Sequence, residues 1–261
     1  MISPVSESSQ ELRSLGKYRL VREMGRGGSG IVYEAIDTSL DRRVALKVFA
    51  ENPLATAAGR SEDQQRFLRE AKLTANLPKH PSIVGLYEAE IIDGKRYISM
   101  EFIEGQSLAD WSESEGVDFK KRVQVLRDAA LAVHHAHEHH VIHRDLKPGN
   151  ILIDAAGKPH LTDFGLAKQV GADVSLTGGG LVVGTPHYMS PEQAQGLKTL
   201  DHRTDVYSLG IILYEFLAGR RPFEGDSAME IMMKAVRTQA PHPSTVMKES
   251  MAEVARGLDK I

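Results

Sequence analysis

The chain of 261 residues has no cysteine, which excludes disulfides and thiolate zinc sites and suits a reducing cytosol. Strong charge of one sign is also missing. The sequence carries 32 basic and 35 acidic side chains for a net charge of −3, so no overall basic field exists to grip nucleic acid or an anionic membrane. Any phosphate binding must be local. Long apolar runs are absent too: the longest, such as "LGIILYEFLAG", contain Glu215 and fall well short of the roughly 20 residues that span a bilayer. The opening "MISPVSESSQELRSLGKYRL" has no basic segment followed by an apolar one and does not read as a secretory signal. Residues 1–16 are expected to form a flexible polar leader. No internal repeat or long low-complexity tract interrupts the chain, and its composition is that of an ordinary soluble globular protein with one large domain or two lobes; a cytoplasmic location is the expectation.

Residues 18–49 alternate in the β manner as "YRLVREMG", "GIVYEAIDT" and "RRVALKVFA", with "GRGGSG" and "SLD" between them. That pattern predicts a three-stranded antiparallel meander. From about Ser61 the period becomes helical, with Phe67, Leu68, Ala71, Leu73 and Ala75 placed to bury one side before "LPKHP" breaks it. "IVGLYEAEII" and "RYISMEFI" flank "DGK" and predict a hairpin that completes a five-stranded lobe. After "EGQSL" the pattern is mainly helical, through "LADWSESEG", "FKKRVQVLRDAALAVHHAHEHH", "RTDVYSLGIILYEFLAG" and "SAMEIMMKAVRTQ", with short strands at "NILID" and "HLTDFG". The expectation is an α+β protein, a small sheet lobe over 17–103 and a larger helical lobe over 104–261. A cleft between two such lobes is where ligands usually bind.

Three constellations carry chemistry. Gly25-Arg26-Gly27-Gly28-Ser29-Gly30-Ile31-Val32 is a G-x-G-x-x-G-x-V between two strands, which argues against a dinucleotide-binding fold, where the motif opens a helix. By itself it reads equally as a hairpin turn or as a flap whose side-chain-free backbone approaches a phosphate. Lys47 in "VALK" reads as a solvated strand-end lysine or, with Glu70 in the next helix, as a phosphate clamp. Asp145, Asn150 and Asp163, in "HRDLKPGN" and "DFG", are ordinary turn formers when taken singly. At the ends of one short β-hairpin their oxygens would suit Mg²⁺ carrying phosphates. A fourth pattern competes: His135-Ala136-His137-Glu138-His139 is a formal H-x-x-E-H, a zinc-hydrolase signature when a helix presents both histidines on one face.

The ordered series "GRGGSGIV", "VALK", "HRDLKPGN", "DFG" and "GTPHYMSPEQ" resembles the eukaryotic-type protein kinases, and the likeness runs from Lys17 to Ile261. "MSPEQ", and "DVYSLG" with Tyr207, look most like the bacterial branch. The resemblance implies a bilobal protein-kinase-like fold with ATP and Mg²⁺ as cofactors. Met24, Gly25, Arg26, Gly27, Gly28, Ser29 and Gly30 would cover the phosphates. Lys47, paired with Glu70, would hold the α and β phosphates, and Asn150 and Asp163 would ligate Mg²⁺. Asp145 would accept the proton of the substrate hydroxyl, and Lys147 and Thr185 mark the Ser/Thr class. Adenine would lie among Val32, Ala45 and Leu152, against the backbone of Glu101 and Ile103, with Met100 as gatekeeper. Asp205 would brace the catalytic loop, and Thr74, Leu86, His143 and Phe164 would form a stacked spine.

The resemblance also implies regulation. Arg144 would bind a phosphate on the activation loop, with Ser175 and Thr177 as autophosphorylation sites and self-association bringing one copy to another. Partners would be protein substrates, with no nucleic acid and no membrane contact from these residues, although relatives are anchored through distal segments. The sequence ends about where the family's last helices begin, so a truncated second lobe and an unpaired Glu192 are expected. The alternatives are a nucleotide-binding pseudokinase scaffold and, further off, a metallohydrolase. On the kinase reading His137 and Glu138 are ordinary helix residues and the H-x-x-E-H match is coincidental.

Overall fold

A computed structural model describes residues 14–50, 56–164, 186–197 and 199–246. Among them one antiparallel sheet contains β1 (Ser14–Leu15), β2 (Tyr18–Gly27), β3 (Gly30–Asp37), β4 (Arg42–Phe49), β5 (Leu86–Ile92) and β6 (Lys95–Glu101), in the spatial order β1-β2-β3-β4-β6-β5. Tight turns set the register. Asp93 and Gly94 take positive φ angles of 50° and 80°, the backbone that suits the twist of a two-residue hairpin, and Ile92 accordingly faces Lys95. The expected five strands gain a sixth because Leu15, buried among Tyr18, Ala35, Val44, Leu46 and Tyr97, draws the end of the supposed leader into pairing with β2.

The described residues group into two compact units, one within Met1–Glu51 and Leu86–Phe102, the other within Asn52–Gly85 and Ile103–Ile261. The helix after the meander, α1 (Ala57–Ala75), therefore belongs with the second unit. It starts earlier than Ser61 because Thr56 caps it, its side chain accepting from Gly59 N–H at 3.1 Å. Phe67 and Ala71, one turn apart, are buried as expected, whereas Leu68 and Leu73 are 40% and 61% exposed and Ala75 is exposed too. The buried stripe is narrower than the apolar content suggested.

The second unit continues through β7 (Gly105–Ser107), α2 (Leu108–Ser112), α3 (Phe119–Glu138), β8 (Ile151–Asp154), β9 (Pro159–Leu161), α4 (Pro191–Ala194), α5 (Arg203–Ala218), α6 (Ala228–Arg237) and α7 (Pro243–Val246). The segment "EGQSL", for which no strand was expected, supplies β7, which pairs with β8 in a small β7-β8-β9 sheet. Ala129, Ala132, Val133 and Ala136 of α3 bury their small faces in one core with Ile211, Ile212 and Phe216 of α5 and with Leu146, Ile151 and Leu161. Two buried helices thus hold the loop that leads into β8. Among the described residues no helix is long and apolar enough to cross a membrane.

The glycines of the first hairpin divide by what their backbone requires. Gly30 has φ of +140°, and a Cβ there would lie 2.1 Å from the Val48 carbonyl oxygen; a Cβ at Gly25 or Gly27 would meet nothing within 4 Å. Gly30→Ala should therefore lower stability by about 2 kcal/mol or more through strain and the parting of β3 from β4. Gly25→Ala and Gly27→Ala should stay within roughly 0.5 kcal/mol of the unaltered chain. Thermal unfolding of the three variants checks this, and an equal loss in all three would mean that the fold itself requires every glycine.

Candidate active site

In the first unit, β2 and β3 meet across Gly28 and Ser29, with Gly27 facing Gly30 and Gly25 facing Val32. Arg26 is turned to the surface, where its guanidinium donates to Glu23 at 2.7 and 3.0 Å. Met24 is exposed. On β4, Ala45 faces Met100, and Lys47 lies between Val32 on one neighbour and Ile98 on the other. Only 4% of Lys47 is exposed and its ammonium sits 5.4 Å from the Phe49 ring centroid. A lysine this buried is unusual for a solvated strand end. Open space at Gly25 and Gly27 and a buried cation on the adjacent strand fit the cradle for a phosphate chain better than they fit a plain turn.

In the second unit the loop before β8 is held from below. Asp205, fully buried in the first turn of α5, accepts from the backbone N–H groups of His143 and Arg144, each at 2.8 Å, and from His137 Nε2 at 2.7 Å. These bonds support Arg144 in a left-handed conformation, φ +64°, which is uncommon for any residue but glycine. His143 is buried, and its ring stacks at 4.5 Å on Phe164. His143 Nε2–H donates to the Thr162 carbonyl at 2.9 Å while Nδ1 faces the Asp145 N–H at 3.4 Å. That arrangement calls for the neutral tautomer, and burial accordingly pushes the imidazole below its ordinary value.

The candidate oxygens sit on this base. Asp145 Oδ2 accepts from Lys147 Nζ at 2.9 Å and from Asn150 Nδ2 at 3.0 Å, and Asn150 Nδ2 also reaches the Asp145 carbonyl at 2.7 Å. Both amide hydrogens of Asn150 are thereby used, which leaves its Oδ1 as the end of the amide able to act as an acceptor. The Asn150 carbonyl accepts from Thr162 N–H at 3.0 Å, tying the loop to the residue before Asp163, whose own φ is +64°. Among the described residues no group of three or more His, Asp or Glu is placed to hold a metal ion. A divalent ion here would draw on Asn150 and Asp163 and complete its shell with phosphate and water, the habit of Mg²⁺.

Glu70 stands 3.8 Å from Arg144. Burial raises its carboxyl above the ordinary range even though Arg144, and then Arg66 and Arg69, pull the other way, so this long ion pair compensates the desolvation only in part. Lys47 belongs to the first unit and Glu70 to the second. Ile103 and Leu152 are in the second unit, Leu152 on β8 opposite His160 and Ser107. Gly165, Ser175, Thr177, Thr185 and residues 247–261 lie outside the described residues.

The histidine run is not a metal centre. His135 Nε2 is 3.1 Å from the Pro78 carbonyl, and His139, already the C-cap of α3, is 2.8 Å through Nδ1 from the His135 carbonyl. His134 lies 3.7 Å from Glu138 on the surface. Each imidazole serves the local fold. Two contributors went unread in the sequence: His137, taken as an ordinary helix residue, and Gln193, whose Nε2 donates to the Arg144 carbonyl at 2.7 Å. Both act across long separations in the chain, where no local pattern exists to betray them.

The family model described as "Protein kinase domain" matches residues 18–258. The chain is 39% identical over 231 residues to the serine/threonine-protein kinase PrkC of Bacillus subtilis, covering 88% of this chain and 34% of that protein. It is 40% identical over 233 residues to the serine/threonine-protein kinase PknB of Mycobacterium leprae, covering 87% and 36%. It thus spans about a third of each of these relatives. Among solved structures, the kinase domain of Mycobacterium tuberculosis PknI matches 94% of this chain and 86% of its own with a TM-score of 0.68 at 23% identity, which bears on the fold alone.

Proposed function

Because the chain belongs to the protein kinase domain family, we propose that it transfers the γ-phosphoryl group of ATP to Ser or Thr hydroxyls of protein substrates. The observation that carries the reading is the Asp145 carboxylate, fixed by Lys147 and Asn150 on a loop braced by buried Asp205. In this role Asp145 orients the acceptor hydroxyl and takes its proton as the new P–O bond forms and the bond to the β-phosphate oxygen breaks. A strong base is unnecessary, since the transition state is loose and alignment and charge neutralisation dominate. Lys147, 2.9 Å from Asp145, is placed to follow the transferring phosphoryl charge. Mg²⁺, held by Asn150 and Asp163, neutralises charge on the phosphates when bound. Lys47 holds the α and β phosphates under the flap of Gly25, Gly27 and Gly30, and Val32, Ala45, Met100 and Glu101 of the same unit serve the adenine.

Regulation follows from Arg144. Its present neighbour is Glu70, and a phosphate placed on Ser175 or Thr177 by a second copy would compete for the same guanidinium and release Glu70. A reaction that draws on ATP as donor would take place in the cytoplasm. Incubation with Mg-ATP and a generic protein substrate, followed by mass spectrometry, tests the proposal. Phosphoserine and phosphothreonine should appear on the substrate and within residues 165–185. Nucleotide binding without turnover would instead establish the pseudokinase scaffold, and phosphotyrosine alone would overturn the Ser/Thr assignment.

A further inference from the structure

Gln193 occupies the third position of the short helix α4, whose N-cap is Ser190. The two residues form a capping box: Gln193 N–H donates to Ser190 Oγ at 3.4 Å, and Gln193 Oε1 accepts from Ser190 N–H at 3.1 Å. Capping consumes only the oxygen end of the amide. The nitrogen end leaves the helix and donates to the Arg144 carbonyl at 2.7 Å. The orientation of the amide is unambiguous, because Ser190 N can only donate and the Arg144 carbonyl can only accept.

Arg144 carries the left-handed backbone next to Asp145. Its N–H is fixed by Asp205 Oδ1 at 2.8 Å, and its carbonyl by Gln193. That carbonyl shares a rigid peptide plane with the N–H of Asp145, which faces His143 Nδ1 at 3.4 Å. Rotation of the plane would swing Asp145 against Lys147 and Asn150. A capping box takes Glu as readily as Gln, and the helix dipole favours an acid in the first turn. A glutamate here would satisfy α4 but present an unprotonated oxygen to the Arg144 carbonyl. The amide is thus required by the catalytic loop and not by the helix that carries it.

We propose that Gln193 is a positioning residue for phosphoryl transfer, its amide N–H locking the peptide plane that leads into Asp145 and so coupling the order of Pro186–Ala194 to the aim of that carboxylate. The inference rests on the kinase reading. Its test is Gln193→Glu, which keeps the capping box. Thermal stability should fall only modestly, since the capping box is kept while one carboxylate oxygen opposes the Arg144 carbonyl, and KM for ATP should be unchanged, while kcat at pH 8 falls by about tenfold, more than the unfolded fraction explains. As the pH is lowered toward the carboxyl range, the ratio of variant to unaltered kcat should rise, because a protonated glutamate donates to the carbonyl in place of the amide. Gln193→Met, which has neither group, should show a deficit that stays constant with pH. An unchanged kcat in Gln193→Glu, or a deficit that tracks lost thermal stability and does not recover at low pH, overturns the positioning role. Absence of transfer by the unaltered protein sinks the kinase reading and this role with it; transfer that is indifferent to Gln193→Glu sinks the role alone.

Discussion

Asp145→Asn is expected to lower kcat for phosphoryl transfer by about 10²- to 10⁴-fold, the usual worth of a positioned proton acceptor, with a loss of thermal stability too small to account for it. The geometry permits this separation. Asp145 Oδ2 receives Lys147 Nζ and Asn150 Nδ2, both donors, and the single amide oxygen of asparagine can occupy that place and keep both satisfied. The new amide nitrogen then takes the position of Oδ1, where the substrate hydroxyl needs an acceptor. Lost are the negative charge and the proton acceptor, together with the charge of the ion pair to Lys147, while the hydrogen bonds from Lys147 and Asn150 keep an acceptor. Binding of a fluorescent ATP analogue should remain within about twofold, since Asp145 has no assigned contact to nucleotide. A variant that keeps activity within roughly tenfold of the unaltered chain would remove Asp145 from the reaction and with it the central assignment.

Local chemistry was readable where one stretch of chain decides the outcome. Strands β2 to β6 follow from alternation and from turn residues such as Asp93 and Gly94, and α3 and α5 from long buried periodic runs. Residues gained from elsewhere were not readable. Strand β1 has two residues and exists only because Leu15 finds the core formed by Tyr18 and Tyr97; β7 exists only because β8 pairs with it. The helix at "LADWSESEG" ends at Ser112, short of its polar tail, which has nothing to bury. Leu73 looked like core and is exposed because α1 buries only a narrow stripe. In the site, Asp145, Lys147 and Asn150 stand within one short motif and were legible as a group, whereas the bonds that join them appear only in the fold. The support from His137 and Gln193 depends on how α3 and α4 approach the loop, which is tertiary information. The H-x-x-E-H pattern failed for the same reason, since His135 and His139 spend their ring nitrogens on carbonyl groups that the motif does not mention.

Asp205→Ala should do what Asp145→Asn does not, losing stability and activity together. The Asp205 carboxylate is fully buried and takes hydrogen bonds from His143 N–H, Arg144 N–H and His137 Nε2. Alanine leaves three donors without an acceptor in a site closed to water. Removing one side of such a buried network costs about 3–5 kcal/mol, which corresponds to a fall in Tm of roughly 10 °C for a chain of this size. Asparagine offers one oxygen and one NH₂ to the same three donors, so one N–H must face another; its loss should be smaller than that of alanine but still measurable, at about 1–3 kcal/mol. Activity should fall in both variants beyond what the unfolded fraction explains, because Arg144 relaxes from φ +64° once its N–H is released and the peptide into Asp145 turns. Thermal unfolding and kcat measured well below Tm separate the two effects. Full specific activity in folded Asp205→Ala would mean that the left-handed turn is held by Gln193 and the His143 ring without the carboxylate. A loss of kcat in the folded variant places the origin of catalytic alignment in α5, beneath the loop that performs the chemistry.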